Sequence, residues 1–284
     1  MLNIGATRTA LLGNRVGFAT AIGTGFCVLA IAILLFVSFR KRQRQRVDSS
    51  HAGNPDHLEP RSPVPPGSDK ENDDPVELAP AIRALERGQF RRVIRLAHRY
   101  VEDDREPVRA DALRLMALAH SRLEEYADAY SFWLKLASIE PSSWNYLNMA
   151  STAAVIGRFE AAEKEFALCR RVYTLECGND PDERITFHGR YQANFLSSLD
   201  KGGRPDLALG YLDELAIWYS EIHITDSMFL HMRTMPPLEV FLAQSLPIVR
   251  KVMDESALSE WYRRVYDAVD EDGKGMFASY RIPH

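Results

Sequence analysis

One spacing recurs through the middle of this chain, and it constrains the fold more than any other feature. Tyr126, Ala129, Trp133 and Leu136 stand at gaps of three, four and three. The same gaps separate Phe90, Val93, Ala97 and Tyr100; Phe159, Ala162, Phe166 and Cys169; and Pro205, Ala208, Leu212 and Leu215. Side chains three and four apart share one face of an α-helix, so each quartet marks an amphipathic helix. Successive quartets are offset by 36, 33 and 46 residues, and three of them begin two residues after a glycine, Gly88, Gly157 or Gly203. A period near 34 describes a two-helix unit that cannot bury its own apolar face and must stack on its neighbours. The longer last step points to an insertion around residues 175–184. No stretch beyond Val76 alternates as a half-buried strand would, so the body reads as all-α.

The best-patterned unit carries Leu113, Met116, Ala117 and His120 on its first helix, Tyr126, Ala129 and Trp133 on its second, and Pro141 after it. The next carries Tyr146, Met149, Ala150, Gly157, Phe159, Ala162 and Phe166. These residues resemble the tetratricopeptide repeat family, whose units pair two antiparallel helices around a small residue, an aromatic and a terminal proline. The resemblance covers residues 78–222. The first unit departs from it by lacking large residues on its first helix, and the fourth by Pro205 and a missing terminal proline. It implies a helical-hairpin solenoid winding as a right-handed superhelix. Residues 223–284 would then cap its end, with helices near 238–252 and 257–269 covering an apolar face otherwise open to water.

The resemblance also implies a role. Members of this family grip extended peptides or partner helices in a concave groove lined by the first helix of each unit, and some clamp a C-terminal carboxylate with basic residues and asparagines. Carried onto this chain, the groove would show Arg114 and Leu118, then Asn148 and Ser151, then Arg190, Asn194 and Ser197. Leu118 stands where an asparagine is wanted. Arg114, Asn148, Ser151, Arg190 and Asn194 are therefore the expected peptide-binding residues, with an acidic peptide or a free C-terminus as ligand, since arginine's planar fork suits carboxylates. Alternatively, either arginine pairs with a nearby acid such as Asp111 or Glu183.

The N-terminal quarter has a different character. Residues 16–39 form an uncharged apolar run of 24 residues, long enough for a helix of about 36 Å against a hydrocarbon core of about 30 Å. It predicts a single transmembrane helix after a tail at 1–15, the alternatives being a cleaved signal peptide, against which the length and the basic flank argue, and a mitochondrial presequence. Five basic residues, Arg40, Lys41, Arg42, Arg44 and Arg46, follow the run and two, Arg8 and Arg15, precede it. That asymmetry predicts a cytoplasmic C-terminal body. Residues 40–77 read as this basic flank and then an acidic linker with six prolines and no apolar periodicity.

Beyond residue 46 the chain carries 28 basic against 39 acidic residues, which argues against nucleic acid as partner. The three cysteines, Cys27, Cys169 and Cys177, form no CxxC pair and suggest neither a disulfide framework nor a zinc site. Residues 270–275, DEDGKG, open like a calcium loop but place Lys274 at a ligand position and Arg281 where a bidentate glutamate belongs, so a solvated turn is expected. His223 and His231 could share a helix face, with only Asp226 nearby to help hold zinc. His120 fills a position usually aromatic in the family and is taken as packing. No cofactor, no metal and no small-molecule substrate is expected, and no catalytic fingerprint is present. The expected function is a membrane-anchored adaptor or scaffold that binds a protein partner; the alternative is a membrane-tethered helical enzyme domain.

Overall fold

A computed structural model of the chain describes residues 76–178, 181–222, 230 and 235–279, and it is all-helical over them. After a 3₁₀ turn at Val76–Leu78 come α1 (Ala79–Glu86), α2 (Phe90–Ala97), α3 (Glu106–Arg122), α4 (Tyr126–Ile139), α5 (Ser143–Val155) and α6 (Phe159–Cys177). Next, α7 (Pro181–Thr186) runs through a π-helical turn, Phe187–Gln192, into α8 (Ala193–Lys201). Then α9 (Pro205–Ile222), α10 (Leu238–Val252), α11 (Glu255–Ala268) and α12 (Glu271–Ser279) complete the described chain.

The repeated spacing has a matching repeated turn. Three residues join α1 to α2, α3 to α4, α5 to α6 and α8 to α9. In each turn one residue takes a left-handed backbone conformation: Gly88 at φ +67°, Glu124 at +60°, Gly157 at +79° and Gly203 at +87°. The next residue donates its N–H to a carbonyl five positions back, in Gln89 to Ala84, Glu125 to His120, Arg158 to Ala153 and Arg204 to Leu199, at 2.8 to 2.9 Å. That bond satisfies a carbonyl that the helix end would leave orphaned and reverses the chain in three residues. Glycine favours this geometry because it lacks the Cβ that crowds a left-handed backbone. Glu124 adopts it without that advantage.

Each second helix turns its quartet inward. Val93, Ala97, Ala129, Trp133, Leu136, Ala162, Phe166, Cys169, Ala208, Leu212 and Leu215 are all buried, while Phe90, Tyr126, Phe159 and Pro205, the first residues of their helices, are partly buried. The alanines let paired helices approach closely and the aromatics fill the space beside them. Close packing links helices adjacent in the chain, as in α5 with α6, and helices further apart, as in α1 with α3, α5 with α8 and α9 with α11. Helix α3 shows the consequence. Its Ala112, Leu115, Met116 and Ala119 join the apolar cluster shared with α1 and α2, while Ala110, Leu113 and Ala117 join the one that continues to Phe277.

The added length near residues 175–184 lies largely in helix: α6 extends to Cys177 and the following helix starts at Pro181. The expected solvated turn at 270–275 is instead the start of α12, because Asp270 Oδ1 accepts the Gly273 N–H at 2.8 Å and caps it. Lys274 pairs with Glu271 at 2.8 Å in its first turn. Helices α10 and α11 pack on α9, and Trp261 donates its indole N–H to Asp213 at 2.5 Å. Among the described residues no helix is long and apolar enough to cross a membrane. The apolar run at 16–39, the basic flank, nearly all of the linker, His223, Asp226 and His231 lie outside the described residues.

Candidate binding face

Helix α5 begins where Pro141 ends α4's course and Ser142 Oγ accepts the Asn145 N–H at 3.3 Å. Its first N–H groups have a second partner. Glu176, from the last turn of α6, accepts the Ser143 N–H at 3.0 Å and the Ser143 hydroxyl at 2.5 Å. A carboxylate suits the positive end of a helix and fixes how α5 leaves the hairpin. Trp144, Asn148 and Ser151 then recur at gaps of four and three, along one face.

The π-helical turn brings the neighbouring helix to this face. A π turn takes in an extra residue, which re-aims the side chains around it. Here it buries Phe187, Gly189, Tyr191 and Gln192 and sets the Arg190 guanidinium 5.5 Å from the centre of the Trp144 ring. Tyr191 meets Trp144 edge to face at 6.4 Å. Behind it stand Phe187 at 5.4 Å and Tyr173 at 4.8 Å, so the face rests on a rigid aromatic layer. Burial pushes the Tyr191 phenol up to about 12, which keeps it neutral beside Ser143. Gln192 is fully buried, donates to the Tyr211 carbonyl at 2.6 Å, and with its oxygen contacts His188 Nδ1 at 2.6 Å. That assigns the His188 proton to Nδ1, and burial holds the ring's pKa below its ordinary value.

Four of the five expected peptide-binding residues lie on the two helical segments that Trp144 and Arg190 bring together. Arg190 lies over the Trp144 ring, Asn148 follows one turn along α5 and donates to the Trp144 carbonyl at 2.8 Å, and Ser151 lies one turn further. Asn194, exposed, follows Arg190 by one turn and donates to its carbonyl at 2.6 Å. Ser151 Oγ is buried with no hydrogen-bond partner, and Ser197 bonds back to Ala193.

Arg114 has another situation. It is buried, bonds Asp111 Oδ1 at 2.6 Å and Glu140 Oε2 more closely still, and so ties α3 to the end of α4. Its charge is spent on two carboxylates of the protein. Glu183 accepts from the Tyr173 hydroxyl at 2.6 Å, and Leu118 packs against the core.

Trp144 is the residue that sequence reasoning missed. It falls two positions before Tyr146, to which the family pattern directs attention, and only the spacing Trp144–Asn148–Ser151 could have marked it. A second group of polar side chains, His120, Glu125 and Asp128, clusters at the turn between α3 and α4. The His120 ring also stacks on Phe132 at 5.3 Å, as its expected packing role requires. Comparison with family models, with curated proteins and with solved structures finds no match to this chain.

Proposed function

We propose that residues 78–222 form a helical-hairpin solenoid of the tetratricopeptide kind, wound as a right-handed superhelix, and that it works as an adaptor for a protein partner. The face around Trp144, Asn148, Ser151, Arg190 and Asn194 is the binding surface. The observation that carries this reading is the Arg190 guanidinium stacked on Trp144 beside two asparagines, on neighbouring first helices. A cation held on an aromatic face with amides around it suits an extended peptide ending in, or rich in, carboxylates. Arg114 is left out of that surface, since Asp111 and Glu140 engage it. The run at 16–39 would anchor the solenoid to a membrane, with the body on the cytoplasmic side.

Fluorescence anisotropy with the detergent-purified full chain tests the ligand class. A set of acidic peptides with free C-termini is compared with the same peptides amidated. Binding by the free-acid set, weakened by salt and lost in Trp144→Ala and Arg190→Ala, is the expected result. Equal binding by both variants would remove this face from the function. Protease added to intact cells should leave the solenoid uncut; its digestion there would reverse the orientation.

A further inference from the structure

The turn between α3 and α4 holds a group of side chains that the binding face does not use. His120 Nδ1 lies 2.8 Å from Glu125 Oε2 and 3.9 Å from Asp128 Oδ2, and one donor atom from each residue falls within 4.8 Å of the others. We propose that His120, Glu125 and Asp128 bind a divalent transition-metal ion of the zinc class, with water completing the coordination. One imidazole nitrogen with two carboxylate oxygens suits such an ion, whereas magnesium and calcium prefer oxygen alone. A tetrahedral ion with bonds of about 2.0 to 2.2 Å needs donors about 3.3 to 3.6 Å apart, a spacing that falls between the 2.8 Å and 3.9 Å separating His120 Nδ1 from the two carboxylate oxygens.

The surroundings hold the donors in place. The His120 ring stacks on Phe132 at an interplanar angle of 19°, and its backbone is tied to Glu125 by the turn's own hydrogen bond of 2.9 Å. Arg91, from α2, bonds Glu125 Oε1 at 2.6 Å and leaves Oε2 for His120, as an outer partner orients a ligating carboxylate. In the absence of an ion, the His120–Glu125 hydrogen bond occupies the nitrogen that would ligate, so the ion displaces that bond and the imidazole must present the Nδ1 lone pair.

The turn's backbone geometry does not account for the trio. The same turn is built three more times with Ala84, Ala153 and Leu199 in the place of His120, with Gln89, Arg158 and Arg204 in the place of Glu125, and with Arg92, Ala161 and Leu207 in the place of Asp128. The three-residue turn itself therefore requires none of the three. Together they give two carboxylates and an imidazole, with Arg91 offsetting one of the two carboxylate charges.

The test uses the full chain, stripped with a chelator and titrated calorimetrically with zinc chloride and, in parallel, magnesium chloride. Cobalt(II) absorption in the visible range reports coordination directly. One zinc ion per chain, a raised Tm and no response to magnesium are expected. Asp128→Asn, at an exposed position, should lower zinc affinity at least about tenfold while leaving the Tm in chelator unchanged. His120→Gln should abolish the cobalt bands. Zinc binding of undiminished affinity in Asp128→Asn would put the ion at other histidines and overturn the proposal, as would the absence of any zinc-dependent change in Tm.

Discussion

A Cβ placed on Gly202 would stand 2.2 Å from the carbonyl oxygen of Ala154. The turn between α8 and α9 thus meets the end of α5 backbone to backbone, and the two hairpins approach as closely there as atoms allow. The ring of Phe159 closes the other side, 3.2 Å from the same point. Because the obstacle is backbone, no rotamer change can relieve it. Gly202→Ala should therefore separate the third and fourth hairpins and destabilise the protein by about 1 to 3 kcal/mol, the cost of overpacking. Urea denaturation of parent and variant measures this, and an unchanged midpoint would mean that the close approach does not govern stability.

Glu124 offers the opposite experiment. It occupies the left-handed position that glycine fills in the three sister turns. A side chain there costs roughly 1 to 2 kcal/mol, of which glycine's greater freedom in the unfolded chain takes back about 0.5 to 1. The Lys201–Glu124 pair, 3.4 Å apart and with both side chains more than half exposed, contributes little. Glu124→Gly should thus stabilise by about 0.5 to 1 kcal/mol and raise the Tm by about 1 to 4 °C. A lower Tm would show that the glutamate has a stabilising contact outweighing its backbone strain.

The two arginines of the expected groove should behave differently. Arg114→Ala takes the counter-charge from Asp111, which is almost fully buried, and unlinks α3 from Glu140. Loss of one partner from a buried pair is severe, and with Glu140 partly solvated a destabilisation of about 2 to 4 kcal/mol is expected. Arg190→Ala removes a guanidinium from the Trp144 face and should cost about 1 kcal/mol or less. Thermal melts of the two variants check the contrast; comparable losses would contradict the distinction between an arginine ion-paired to a buried carboxylate and one stacked on Trp144.

This pair shows where the sequence stops being informative. The quartet spacing marks the helices, since period 3.6 is local and repeats four times, and Gly88, Gly157 and Gly203 mark three turns. Glu124 hides the fourth, because the hairpin tolerates a strained residue when packing on both sides holds it. Arg114 and Arg190 have similar places in the repeat pattern. Asp111, three residues before Arg114, is a pairing acid the sequence offers, but the second partner, Glu140, lies 26 residues away and sequence distance carries no sign of that contact. The π-helical turn is likewise silent in the sequence, yet it sets Arg190 on Trp144.

His188 gives a pH dependence with a definite sign. Burial is the largest influence on its ring and disfavours the charged form; the Gln192 hydrogen bond and the Glu214 charge oppose this, while Arg170 and Arg184 add to it. Trp218 covers the ring at 4.7 Å, and Arg184 lies over that indole at 5.5 Å. Between the lowered folded pKa and the ordinary value near 6.5, the unfolded chain binds the proton more readily than the folded one. Stability therefore rises with pH through that window, is complete above about 6.5, and is lost as pH falls toward the folded pKa. Protonation would also set a further positive charge near Arg170 and Arg184. Unfolding free energies measured at intervals from pH 5 to 8 should rise and then level off in the parent. In His188→Gln the rise should be shallower across the same interval. An identical slope in the variant would assign the acid sensitivity to other groups and leave His188 with a packing role alone.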